Sequence, residues 1–220
     1  MLKIKIWIIA ISLMVGSIAL LVAAQEETDE ILNYYQERAN EVFKSRNPIS
    51  AGLQFSFEAT TYRETYDNDY NTVIVDSTIA RYFYSFGELD SIITKVLSEK
   101  KIDLVDMSYP NIFDGSYLYN FYPNDTGGEE LAIGYDSHDF DSTVPVGIAL
   151  INRDRYFLTR LYMSFMHDEK IERSSKIFRF IIVEGFVFPD SIYEIKSRRS
   201  VFSTEYYRLK TAISEIQIQR

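Results

Sequence analysis

IFRFIIVEGFVFPDSIYEIK, Ile177 to Lys196, reads as a strand, a tight Glu184-Gly185 turn and a second strand broken by Pro189. Alternation puts Phe178, Phe180 and Ile182 on one face of the first strand and Ile177, Ile181 and Val183 on the other. A strand apolar on both faces needs cover on both sides. The expectation is therefore a sheet with a helix against one face and an apolar interior behind it.

The rest of the chain agrees with a β-rich fold. Its 220 residues are 46% hydrophobic and 15% aromatic, with 17 Tyr and 15 Phe. Tyr and Phe favour pleated, half-buried surfaces. No cysteine is present, which excludes disulfides, thiolate metal sites and a thiol nucleophile. The net charge is −9. An acidic chain repels phosphate backbones, so nucleic acid is not the expected partner.

Met1 to Ala24 has the layout of an export signal. Lys3 and Lys5 precede an apolar run from Ile6 to Leu21, and Val22-Ala23-Ala24 ends in small residues before Gln25. Cleavage after Ala24 is expected, with an uncleaved anchor as the other reading. Residues 25–220 then form one exported domain.

Glu26 to Ser45 predicts a helix ended by Asn47-Pro48, with Ile31, Tyr35, Ala39 and Val42 as its apolar stripe. Alternation predicts strands at Ala51 to Tyr62 and Thr72 to Phe86, the latter with Tyr82, Tyr84 and Phe86 on one face. Leu89 to Leu97 fits either a helix or the second arm of a hairpin, and the local order favours the hairpin. Turn signals at Pro123 to Gly128 and Asn152-Arg153-Asp154 predict two more hairpins. Thr204 to Ile218 predicts a last strand whose apolar phase slips after Ile213, which calls for a bulge near Ser214-Glu215. Eight to ten strands joined by short turns, with one helix, predict an α+β fold: a mainly antiparallel, half-open β-barrel covered by its N-terminal helix.

Catalytic signals are lacking. His138 and His167 sit in no motif, and no G-x-S-x-G, phosphate loop or H-E-x-x-H occurs. Asp136, His138, Asp139 and Asp141 cluster within six positions, where carboxylate oxygens could hold Ca²⁺, but the EF-hand Gly and distal Glu are lacking and the run reads as a solvated acidic loop. No enzyme activity, cofactor or metal is expected. The apolar load is the informative feature. Phe55, Phe57, Tyr82, Tyr84, Phe178, Phe180, Ile182, Phe186 and Phe188 are the expected wall of a cleft for an acyl chain, and Ile31, Tyr35 and Val42 the inner face of a lid helix. A filled core in a surface-binding protein is the second reading. A carbohydrate-active enzyme is the third, because carboxylate pairs meet only in three dimensions.

The order of an export signal, an amphipathic helix and a strand of the form Gly52-Leu53-Gln54-Phe55-Ser56-Phe57 resembles the outer-membrane lipoprotein carriers, the LolA-like unclosed β-barrels. Glu184-Gly185-Phe186-Val187-Phe188-Pro189-Asp190-Ser191-Ile192 is similar to their late Gly-apolar-Pro strand. The resemblance implies a non-enzymatic, cofactor-free protein of the periplasm or cell envelope. It implies a lipid or acylated lipoprotein as ligand, and envelope membrane proteins as further partners. The family's cavity arginine matches no single position here.

Overall fold

The computed structural model describes residues 28–66, 71–96, 105, 107–121, 128–138, 144–166, 173–199 and 204–219. The expected export segment, Asp67 to Asp69, His167, and Asp139 and Asp141 lie outside them. Helix α1 spans 28–46. It ends where expected: the Asn47 side-chain oxygen accepts the N–H groups of Ile49 and Ser50 at 3.0 and 2.9 Å, closing a turn that a helix cannot enter.

Ten strands follow: β1 Gln54–Tyr66, β2 Thr72–Ser85, β3 Glu88–Val96, β4 Tyr117–Phe121, β5 Glu130–Ser137, β6 Val146–Asn152, β7 Leu158–Met166, β8 Arg173–Val183, β9 Phe186–Arg199 and β10 Thr204–Gln219. They form one antiparallel sheet in the order β3-β2-β1-β10-β9-β8-β7-β6-β5-β4. The half-open arrangement with an N-terminal helix is thus as the sequence predicted. Residues 89–96 of the ambiguous run lie in strand β3, and the second arm of the Asn152-Arg153-Asp154 hairpin is β7.

This order is two meanders, β1–β3 and β4–β10, joined where β1 pairs with β10. β3 and β4 are consecutive in sequence but lie at opposite edges. Their connection must therefore cross one face of the sheet. Its described part, residues 105 and 107–116, crosses the concave face, with Met107, Ile112 and Phe113 buried and Ser108 and residues 114–116 exposed.

Short turns set the registers. Phe86-Gly87 and Glu184-Gly185 both have two successive positive φ angles, 54° and 79° and 50° and 89°. That is the two-residue turn whose twist matches antiparallel strands. The slip in β10 is a bulge as expected. Ser56 pairs with Gln217 and Glu58 with Ser214, so Glu215 and Ile216 face Phe57 alone, with Glu215 at φ 49°.

Several expectations are corrected. β9 is not broken by Pro189. The strand runs through it, and the pairing with β8 shifts between Arg179 and Phe180, because a residue without an N–H is accommodated at a bulge. β8 is not covered on both faces, since Ile181 is 39% exposed on the convex side. Phe86 does not continue the face of Tyr82 and Tyr84; it is a turn residue, 86% exposed. The α1 stripe is rotated. Leu32 and Ala39 are buried and Tyr35 and Phe43 pack on the core, whereas Ile31 is 45% exposed.

Candidate functional site: the concave face and its cover

The register stacks the concave residues in rows across the sheet. One row runs Thr78, Thr61, Thr211, Ile192, Phe178, Leu161, Ala149 and Ile133, all buried. The Thr61 and Thr211 hydroxyls meet at 3.0 Å. Towards the turns, the wall becomes aromatic. Phe55 stacks on Tyr84 at 4.7 Å and Phe57 on Tyr82 at 4.9 Å, each across a β1–β2 pair.

Phe188 meets Phe55 edge-on at 5.2 Å although β10 lies between their strands. The β9–β10 ladder ends at Ala212–Ser191, while β10 continues along β1 and β9 along β8. The two halves of the sheet part there, and Phe188, fully buried, fills the gap.

Most of the expected wall residues come together. Phe55, Phe57, Tyr82, Tyr84, Phe178, Phe180 and Phe188 are buried in one cluster, and Phe186 packs against it half-buried. Ile182 is half-buried, paired with Val187 beyond the β8–β9 bulge. Of the expected lid residues, Tyr35 packs on the core and Val42 lines the seam between helix and sheet, while Ile31 turns away.

The cover is where sequence reading fell short. The helix is only half of it. Met107, Ile112 and Phe113 of the crossover are at most 1% exposed, although Tyr109-Pro110-Asn111 carries only the pattern of a chain break. Tyr109 lies 4.9 Å from Phe180, 5.6 Å from Phe178 and 5.5 Å from Phe43, ring to ring. Side chains fasten the crossover: Val105 N–H donates to the Tyr82 hydroxyl at 2.9 Å, the Tyr119 hydroxyl to Ile112 C=O at 2.7 Å, and the Asn111 side chain to Asn40 at 2.8 Å. Burial pushes the phenols of Tyr82, Tyr109 and Tyr135 above their usual value; the hydrogen bonds from Val105 to Tyr82 and from Asn47 to Tyr109 oppose it in part. The signal in the sequence was the apolar content of Met107 to Phe113, hidden by the absence of any period.

The described residues leave little space at the seam between helix and sheet. The pocket between α1, the crossover and the β6–β7 turn, lined by Val42, Phe43, Tyr109, Phe113, Phe157 and Val187, has a volume of about 10 Å³. That is room for about one water, against roughly 300–1,000 Å³ in ligand sites. Among the described residues no group of three or more His, Asp or Glu is placed to hold a metal. The register puts Asp76 and Glu194 on the concave face three strands apart, roughly 14 Å, wider than the carboxylate pair of a glycosidase. That spacing removes this pair from the carbohydrate-enzyme reading.

No family model and no curated protein matches the chain. Among solved structures it is similar to a LolA superfamily protein from Nitrosomonas europaea, with 13% identity, 85% of this chain and 93% of that one covered, and a TM-score of 0.34. It is also similar to a putative outer membrane lipoprotein-sorting protein domain from Vibrio parahaemolyticus, with 10% identity, 84% and 93% covered, and a TM-score of 0.38. A third likeness is to the Pseudomonas aeruginosa MucA/MucB complex, with 8% identity, 83% and 99% covered, and a TM-score of 0.24.

Proposed function

We propose that this chain is an exported envelope protein that shelters a lipid acyl chain, free or attached to a protein, by exchanging it for its own crossover segment. The observation that carries this reading is the nature of the cover. An aromatic concave wall faces a coil and one helix instead of a second sheet. Met107, Tyr109, Ile112 and Phe113 fill the interior where an acyl chain would lie.

The magnitudes allow an exchange. Exposing four such side chains costs roughly 6–12 kcal/mol, at about 1.5–3 kcal/mol each. A chain of about 16 carbons regains on the order of 12 kcal/mol, at about 0.8 kcal/mol per CH₂. The two are comparable, so the closed and filled states lie close in free energy. The apolar run after Lys3 and Lys5 supports export to the envelope.

A second reading, a filled-core envelope protein that binds partners through its surface, is favoured by the 10 Å³ pocket. Native mass spectrometry of the chain, purified from the envelope fraction of cells that make it, separates the two. A co-purifying acyl species near unit ratio, or uptake of a fluorescent fatty acid, supports the exchange. A clean apo mass with no uptake leaves the filled-core protein.

A further inference from the structure

One row along the strands from Phe178, the concave face changes character. Pairing places Arg63 opposite Leu209, Leu209 opposite Glu194, Glu194 opposite Lys176 and Lys176 opposite Met163. Two residues further along β9, Lys196 faces Tyr207, whose ring lies 4.6 Å beneath the Arg63 guanidinium. Three cations are thus gathered on the inner face of a chain whose net charge is −9.

The lysines converge on a single atom. Lys196 Nζ lies 3.2 Å and Lys176 Nζ 3.8 Å from Glu194 Oε1. That oxygen is buried and accepts no hydrogen bond, although it belongs to a side chain only 10% exposed. Lys176 is itself only 16% exposed, against an apolar row. Taking such charges out of water is costly, and replacing a buried ion pair by well-packed apolar residues is often neutral or stabilising. The cluster is therefore poorly explained as a stabiliser of the sheet. Along β8 the same face reads Lys176, Phe178, Phe180, a step of about 7 Å from cation to aromatic wall. Lys196, a third exposed, brings the cluster to solvent.

We infer that Lys176 and Lys196 form a site for one anionic group, a phosphate or a carboxylate, carried at the head of an amphiphile whose tail runs along Phe178 and Phe180. The inference rests on the acyl-binding reading and adds the head group to it. On binding, the anion takes ammonium contacts that Glu194 Oε1 holds in the closed state. Arg63 borders the site across Leu209.

The test measures affinities of the full chain for palmitate and palmitoyl lysophosphatidic acid, and for the uncharged hexadecanol and monopalmitoylglycerol. Inorganic phosphate alone is the fifth probe. The anionic amphiphiles are expected to bind about tenfold or more tighter than the uncharged ones, since hydrogen bonds to a charged group are worth that much. Lys176→Met and, separately, the more exposed Lys196→Met should each reduce the preference without changing the affinity for hexadecanol. Lys210→Met, on the convex face, should leave it intact. Binding of inorganic phosphate that is lost in both variants would identify a site for the anion itself, independent of the tail. Equal affinity for charged and uncharged probes, or a preference that survives both substitutions, overturns the anion site while the acyl reading stands. No binding of any probe overturns both.

Discussion

The ring of Tyr109 stands edge-on over Phe180 with centroids 4.9 Å apart, and this contact joins the crossover to the wall it covers. The same ring meets Phe178 and, from the other side, Phe43 of α1, so one residue ties coil, sheet and helix together. Tyr109→Ala should lower stability by about 3–5 kcal/mol, as for other large aromatic truncations in a core. If the crossover competes with ligand, the same variant should bind palmitate more tightly. Urea unfolding and a palmitate titration check both. Lower stability with weaker binding would mean that Tyr109 is part of the ligand's wall and not of a competing cover.

The exchange also sets a chain-length threshold. The cover's cost of roughly 6–12 kcal/mol equals about 8–15 methylenes at about 0.8 kcal/mol each. Octanoate should therefore show no measurable binding, and palmitate should bind. Above the threshold each added CH₂ should tighten binding roughly fourfold. Affinity that is flat from octanoate to palmitate would show that the interior never opens along its length.

Phe86 offers a test of the turn. It holds a φ of 54° at the first central position of the β2–β3 turn and is 86% exposed, so it has strain without burial. Asn accepts this conformation before Gly87 far better. Phe86→Asn should stabilise the protein by about 1 kcal/mol, or roughly 2–4 °C in Tm for a domain of this size. A melt with an unchanged or lower Tm would show that the Phe86 ring contributes contacts outside this chain's core.

How much of this is legible in the sequence follows from the range of each interaction. The β8–β9 turn, the β10 bulge and the end of α1 at Asn47 are local, and residue type within a few positions decides them. Phe55, Phe57, Tyr82 and Tyr84 share the buried face, as alternation requires once one face is buried. Ile31 was misplaced because a helical stripe from four residues tolerates a rotation that only contact with Phe113 and Tyr156 settles. The crossover's burial follows from β3 and β4 occupying opposite edges, which is a fact about the whole sheet. The cation row was invisible for the same reason: Arg63, Lys176 and Lys196 come together only through three strand registers.

Gly147 is a point where the sheet has no room for a side chain. It pairs with Met163, and a Cβ there would lie 1.8 Å from the backbone oxygen of Tyr162 and 3.0 Å from the Tyr135 hydroxyl. Tyr135 donates to that same oxygen at 2.8 Å, so the glycine is what lets the phenol cross β6 to reach β7. Backbone cannot retreat as a flexible side chain would. Gly147→Ala should cost about 2–4 kcal/mol, in the upper range of single substitutions. Pairing it with Tyr135→Phe should not rescue it, because the clash is with Tyr162 backbone. Near-native stability of the single variant in urea would show that β6 and β7 shift freely, and the register argument for this edge would fail.

The buried phenols make alkali the condition that opens the cover. Burial pushes the Tyr119 hydroxyl up to about 12 from its usual value near 10, with the Gly115 N–H opposing and Asp114 assisting. Tyr109, which pins the crossover, is displaced in the same direction and further. A folded-state pKa above the unfolded one means that the native state holds its proton more tightly. The contribution is complete below pH 10 and is lost as pH rises from there through 12. Glu64 has the opposite sign: the Lys210 hydrogen bond and then that from Tyr66 hold its carboxyl below the usual value, so its contribution is lost only in acid. Tm should therefore be level through neutral pH and fall between about pH 10 and 12, with dye-accessible apolar surface appearing over the same interval. Tyr119→Phe should start less stable, having lost its hydrogen bond to Ile112, and should show a shallower alkaline fall. A wild-type Tm that stays level to pH 12 would mean that these phenols are already hydrated in the native state, and the closed cover inferred from Met107 to Phe113 would not be the state populated in solution.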